Sequence, residues 1–165
     1  MQLTGKQITN KLIVFNTCKE GIQQQGVDVR VKRIFSVHDN SYGYVPKEGK
    51  TITPKTHELI TWDDKYELTP GYYELEFEEG CAIPSYCAMY FKTRSSLVRC
   101  GAEVLSGQFD GGFYTDNMGA FLKVNIPITI EKGARVAQCI VTETYEVEDG
   151  DLYNGQWQGD KQRES

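Results

Sequence analysis

Apolar and polar residues alternate along most of this chain, and a helical spacing replaces the alternation in one place. In VDVRVKRIFSV, residues 27–37, Val27, Val29 and Val31 share one face, with Asp28 and Arg30 on the other. That period of two is the mark of a strand with one buried face. Tyr72 to Glu78 repeats it: Tyr73, Leu75 and Phe77 are expected to face a core, and Glu74, Glu76 and Glu78 to form a solvated sheet face. Further strands are expected at about 86–92, 102–106, 119–126 and 135–146, broken by Gly- and Asp-containing turns. Thr69-Pro70-Gly71 fits a type II turn, and the polar stretch 38–58 reads as a long hairpin or loop. The helical exception is residues 4–12, where Thr4 and Gln7 have capping-box spacing and Ile8 and Leu12 lie one turn apart. Many short strands at this spacing predict an all-β sandwich, jelly roll or barrel. The pattern stops after Asp149, so residues 1–149 are expected to form one domain and 150–165 a mobile C-terminal tail. A tryptophan in such a tail, Trp157, needs a surface to cover, because an exposed indole gains little.

Composition narrows the classes. The 165 residues suffice for one domain with a real core, and 39% hydrophobic with 25% charged is an ordinary globular mix. The net charge of −5 argues against a general nucleic-acid binder, which needs a basic face, but not against a small anionic ligand. No apolar run approaches membrane-spanning length and no signal-peptide pattern opens the chain. Cysteines 18, 81, 87, 100 and 139 are odd in number and form no C-x-x-C pair. Reduced, mostly buried thiols of a cytoplasmic protein are therefore expected. His38 and His57 stand in polar contexts and read as surface residues.

The candidate chemistry is concentrated between Lys92 and Asp116. Arg94-Ser95-Ser96 packs a guanidinium fork and two hydroxyls into three residues, a grouping that suits phosphate. In Gly107-Gln108-Phe109-Asp110-Gly111-Gly112-Phe113 a lone carboxylate is flanked by glycines that let backbone approach a ligand, with a ring three residues on. Singly, the first is also an ordinary strand end and the second an ordinary hairpin turn. Together they offer the phosphate patch, carboxylate and ring that a nucleotide hydrolase needs.

Five segments in order then carry a resemblance: Gly26-Val27-Asp28-Val29-Arg30; Arg94-Ser95-Ser96-Leu97; the 107–113 segment; Gly133-Ala134-Arg135-Val136-Ala137-Gln138; and Tyr153-Asn154-Gly155-Gln156-Trp157-Gln158-Gly159. The chain resembles the dUTPase and dCTP deaminase superfamily over most of its length. The opening helix and PGYYELEFEEGCAIP look like its deaminase-related branch, which includes archaeal and viral dUTPases. The resemblance implies a distorted jelly roll (the β-clip) assembled as a homotrimer with active sites between subunits. It implies that Asp110 activates the attacking water and that Gln138 sits near the α-phosphate. It places Arg94, Ser95 and Ser96 on phosphate, Gly107 and Phe113 in the nucleoside pocket, and Trp157 as a lid from the tail. Phe113, where many dUTPases have Tyr, is expected to stack on deoxyribose. Lys161 and Arg163 fall near the terminal phosphate, and Asp28 holds Mg²⁺ through its water shell.

Two activities share this fold. Deamination of cytosine needs an acid/base beside C4, which the family's deaminases supply with a Glu about ten residues after the aligned Asp. Ala120 stands there, and no Glu occurs between Glu103 and Glu131. The expected activity is thus dUTP diphosphatase, giving dUMP and pyrophosphate, with base choice by backbone groups of the 102–113 hairpin. The alternatives are dCTP deaminase, to which the GQWQG tail is closer, and a non-enzymatic nucleotide-sensing or partner-binding family member.

Overall fold

The computed structural model describes residues 1–159. In chain order the elements are α1 (Gly5–Asn10), β1 (Val14–Phe15), β2 (Val27–Val37), β3 (Thr56–Glu58), β4 (Lys65–Leu68), β5 (Gly71–Phe77) and β6 (Gly80–Ala82). They continue with β7 (Cys87–Thr93), α2 (Ser95–Arg99), β8 (Ala102–Leu105), β9 (Tyr114–Thr115), β10 (Gly119–Val124), β11 (Ile128–Glu131) and β12 (Arg135–Glu143). The main sheet runs β7-β12-β2-β5-β10-β8, with β3 added beside β2; small sheets β1-β6-β9 and β11-β4 flank it. The named strand pairs are antiparallel. The two ends of the main sheet approach each other: Val104 N–H of β8 donates to Thr93 Oγ1 of β7 at 2.9 Å. The result is an all-β, jelly-roll-like, nearly closed barrel.

The barrel closes around the residues that alternation marked. Val27, Val29 and Val31 are fully buried, with Ile34, Leu75, Phe77, Met89, Met118 and Leu122. Helix α1 forms where expected: Thr4 Oγ1 accepts from Gln7 N–H, and the Gln7 side chain accepts from Thr4 N–H. The capping box satisfies two end groups of a six-residue helix, and burial of Ile8 holds the helix to the barrel. Between residues 38 and 55 the chain makes a long excursion, tied by the Tyr44–Ile52 bridge. His38 and His57 are exposed and meet edge to face. The five cysteines are unpaired, and burial pushes the Cys81 thiol up to about 12.

Two local expectations change. The glutamate face of β5 is not simply solvated. Glu76 is buried beneath Arg33, its direct cross-strand partner on β2, whose guanidinium it pairs with; Lys32 lies 3.7 Å away. Beyond the strand end, Glu79 is fully buried and accepts from Arg30 Nε at 2.6 Å and from Arg30 N–H at 2.8 Å. Alternation reports which face a residue is on; here the second face is covered by the cationic residues of β2. The second change is a short helix, α2, after Arg94. It ends at Gly101, whose φ of +89° is the left-handed stop that favours glycine. A Cβ at Gly101 would lie 2.1 Å from Ile126 Cγ1.

Candidate functional site

The sequence-predicted residues fall into two groups on one chain. The first surrounds Asp28. This carboxylate is 1% exposed, yet stands on the outer face of β2, opposite Gln138 of β12. Arg94 Nε and Arg135 Nη1 each lie 3.2 Å from its Oδ2, and Gln138 Nε2 donates to Oδ1 at 3.2 Å. Arg94 comes from the turn before α2, where its N–H donates to Val136 O, and its Nη1 donates to Arg135 O at 3.0 Å. Burial raises the Asp28 carboxyl above its ordinary value, opposed by Arg94, Gln138 and Arg135. Asp28 thus orders two guanidiniums and an amide, with Ser95 and Ser96 exposed just beyond Arg94. The group has the donors to take a polyphosphate. Arg135 lay inside a quoted segment, but only folding reveals it as Arg94's partner.

The second group lines a cavity of about 350 Å³ that contains Gly107, Gln108, Asp110, Phe113, Ala120 and Trp157. Neither Asp28, Arg94, Ser95, Ser96 nor Gln138 lines it. Asp110 sits exposed at the turn after β8, with Gln108 Nε2 donating to its Oδ1 at 2.9 Å. The bridge between Phe109 and Met89 of β7 fixes that turn. Gly107 is open: a Cβ there would meet nothing within 4 Å. Phe113 is only 8% exposed. It belongs to a row of rings, Phe77–Phe91–Phe109–Phe113–Tyr153, with centroids 5.1–5.4 Å apart. Successive ring contacts of this kind make one rigid wall.

The first half of the tail closes this cavity on its own chain. Tyr153 N–H donates to Gly111 O at 2.8 Å and Gly159 N–H to Tyr114 O at 2.7 Å. The Gln158 amide spans the gap: Nε2 donates to Gly112 O at 2.8 Å and Oε1 accepts from Tyr114 N–H at 2.9 Å. Gly112, at φ +95°, is the glycine this contact requires, since a Cβ would lie 2.9 Å from Leu152 Cβ and 3.0 Å from Tyr153 N. Trp157 then forms part of the cavity wall. Lys161 and Arg163 lie outside the described residues.

Two residues have roles that sequence reasoning missed, Gln158 as the latch of the tail and Glu74 in the cavity wall. Gln158 stood in a quoted segment without a role. Glu74 was assigned to a solvated face, and no local signal distinguishes it from Glu76 or Glu78. As for metals, no cluster of three or more His, Cys, Asp or Glu occurs among the described residues. Asp28 already accepts hydrogen bonds from Arg135 and Gln138 and pairs with Arg94, which suits contact with a metal's water rather than the metal itself. No described helix is long and apolar enough to cross a membrane.

Residues 2–144 match the family described as dCTP deaminase-like. A probable deoxyuridine 5′-triphosphate nucleotidohydrolase of Aeropyrum pernix is 34% identical over 97% of this chain and 99% of its own. A deoxyuridine 5′-triphosphate nucleotidohydrolase of Methanocaldococcus jannaschii is 32% identical over 92% of this chain and 96% of its own. Among solved structures, a 2′-deoxycytidine 5′-triphosphate deaminase from Agrobacterium tumefaciens superposes with a TM-score of 0.62 at 15% identity. That superposition covers 85% of this chain and 47% of the deaminase, a likeness of fold.

Proposed function

The chain belongs to the dCTP deaminase-like family of the dUTPase and dCTP deaminase superfamily, and from that premise we propose that it is a dUTP diphosphatase. The carrying observation is the pairing of Asp110 with Ala120 in one cavity: a carboxylate at the mouth, and a methyl group where a deaminase of this fold holds its glutamate. Nearly full-length likeness to archaeal deoxyuridine triphosphate nucleotidohydrolases supports the same choice.

In this reading the nucleoside enters the cavity with its deoxyribose against Phe113. Asp110, oriented by Gln108, accepts a proton from a water that attacks the α-phosphorus. The new bond joins the water oxygen to the α-phosphorus. The bond to the bridging oxygen of the β-phosphate breaks, and pyrophosphate leaves with that oxygen. Arg94, Ser95 and Ser96 hold the triphosphate, Asp28 and Arg135 keep Arg94 in position, and Gln138 lies beside the α-phosphate. In this reading a second copy presents its Arg94 group to the cavity, in a homotrimer with three shared sites; that the Arg94 group lines no part of its own chain's cavity supports this. Asp28 would hold a Mg²⁺ ion through its water shell, and the ion would supply neutralisation of the triphosphate charge. The tail excludes water around the closed site.

The test is pyrophosphate release from dUTP by wild type and Asp110→Asn. The variant is expected to bind a non-hydrolysable dUTP analogue with little change while turnover disappears. Substantial residual turnover in a clean preparation moves the water-activating role to another group. Ammonia release from dCTP in place of pyrophosphate release would select the deaminase instead.

A further inference from the structure

Glu74 is a carboxylate in the cavity wall that the proposed chemistry does not use. It lies on β5 directly opposite Phe121 of β10, and Phe121 lies opposite Leu105 of β8. All three line the cavity. Two strand spacings, about 10 Å, separate the ends of this row. The Asp110 turn is drawn the other way, toward β7, by the Met89–Phe109 bridge. Glu74 and Asp110 therefore stand at opposite walls, with Phe113 on the Asp110 side. If Asp110 and Phe113 receive water and sugar, the base reaches toward Glu74.

Its bonding sets Glu74 apart from its neighbours. Glu76 and Glu79 are neutralised by arginines, whereas Glu74 has no cationic partner among the described residues. Its one hydrogen bond there comes from Thr56 Oγ1, at 3.2 Å to Oε2, which leaves Oε1 without a partner among those residues. Two other polar side chains of the cavity bond to backbone carbonyls. Asn117 Nδ2 donates to Phe77 O at 3.0 Å, and Thr115 Oγ1 donates to Asn117 O at 3.0 Å. An ionised carboxylate accepts hydrogen bonds and donates none. Beside its cross-strand partner Phe121, such a carboxylate selects a ring that brings an N–H to it and rejects one that brings a lone pair.

We propose that Glu74 is the base-reading residue, accepting a hydrogen bond from the N3–H of uracil. Cytosine carries a bare N3 at the same edge, which faces carboxylate oxygen lone pair to lone pair. Selection of uracil over cytosine thus comes from a side chain on β5, in addition to backbone groups of the 102–113 segment. The inference deepens the diphosphatase reading and rests on it.

The experiment measures kcat/KM for dUTP, dCTP and N3-methyl-dUTP with full-length wild type, Glu74→Gln and Glu74→Ala, each checked for folding by its melting curve. Wild type is expected to reject N3-methyl-dUTP and dCTP. A site built around one hydrogen-bonding edge discriminates strongly once a partner is left unpaired. In Glu74→Gln, whose amide also donates, the dUTP-to-dCTP ratio falls at least about tenfold. In Glu74→Ala, N3-methyl-dUTP and dUTP converge. Should the variants misfold, efficient turnover of N3-methyl-dUTP by wild type alone overturns the proposal. An unchanged dUTP-to-dCTP ratio in folded Glu74→Gln does the same. Both results leave the diphosphatase reading standing, which fails only if wild type releases no pyrophosphate from dUTP.

Discussion

Gly112→Ala perturbs the joint between tail and cavity at a single atom. Gly112 has φ +95°, beyond the narrow left-handed region that L-residues tolerate, so the new side chain costs about 1–2 kcal/mol in the backbone alone. Such a loss lowers Tm by about 2–8 °C in a chain of this size. The added Cβ would sit 2.9 Å from Leu152 Cβ, where carbon atoms normally keep about 3.5–4.0 Å. The tail must then withdraw by about 1 Å. The bonds from Tyr153 to Gly111 and between Gln158 and Gly112 and Tyr114 stretch together, each worth about 1 kcal/mol net. The barrel should stay folded, because most of its core lies outside the tail. The assay is a double-mutant cycle on kcat/KM for dUTP: wild type, Gly112→Ala, a chain lacking residues 150–165, and the combination. Gly112→Ala in the full chain is expected to lose about a hundredfold, the scale of a 1 Å misplacement at a reacting centre. In the truncated chain, where the clash has gone, it should cost no more than about twofold. Equal penalties in both backgrounds, or undiminished activity in the full chain, would refute the idea that the tail's seat on its own chain governs the site.

Phe113→Leu is expected to reduce discrimination between dUTP and UTP while preserving the fold, whereas Phe113→Ala, at a residue 8% exposed, adds a stability loss of about 3–5 kcal/mol; an unchanged kcat/KM ratio in the Leu variant removes the ring from the sugar wall. Asp28→Ala leaves Arg94 and Arg135 facing each other without their shared counter-charge. Since both are about 30% exposed, the stability loss should fall below the full cost of an unpaired buried charge, at about 1–3 kcal/mol, with a raised KM for the triphosphate; denaturant melts and initial rates check the two effects separately. Burial raises the Glu79 carboxyl above its ordinary value of 4.5 despite Arg30. The folded state therefore binds more protons than the unfolded one between those two values, so this group makes stability rise as pH falls through that window. Urea melts should show a larger gain, or smaller loss, between pH 7 and 5 in wild type than in Glu79→Gln.

Much of the barrel was legible because its information is local. Alternation in 27–37 and 72–78 set the inward residues, and the Thr4–Gln7 pair set the one capping box. Short-range order also supplied the ordered segments that carried the family resemblance. Alternation cannot say what lies on the second face, so Glu76 and Glu74 looked alike. One meets Arg33 and the other a cavity, a difference that depends on strands far apart in the chain. Helix α2 was missed because five residues give too little periodicity to register against the strands on either side.

The sequence by itself determined the fold class and singled out Asp110 and the Arg94-Ser95-Ser96 segment as candidates, since each depends on residue type and short spacing. Only the tertiary structure decided that Asp28 holds Arg94 and Arg135 together and that Gln158 latches the tail across Gly112 and Tyr114. It also decided that the Arg94 cluster lies outside its own chain's cavity. The physical reason is separation: these contacts join residues from 44 to 107 positions apart. No periodicity encodes a distance closed by the pairing of strands into a barrel.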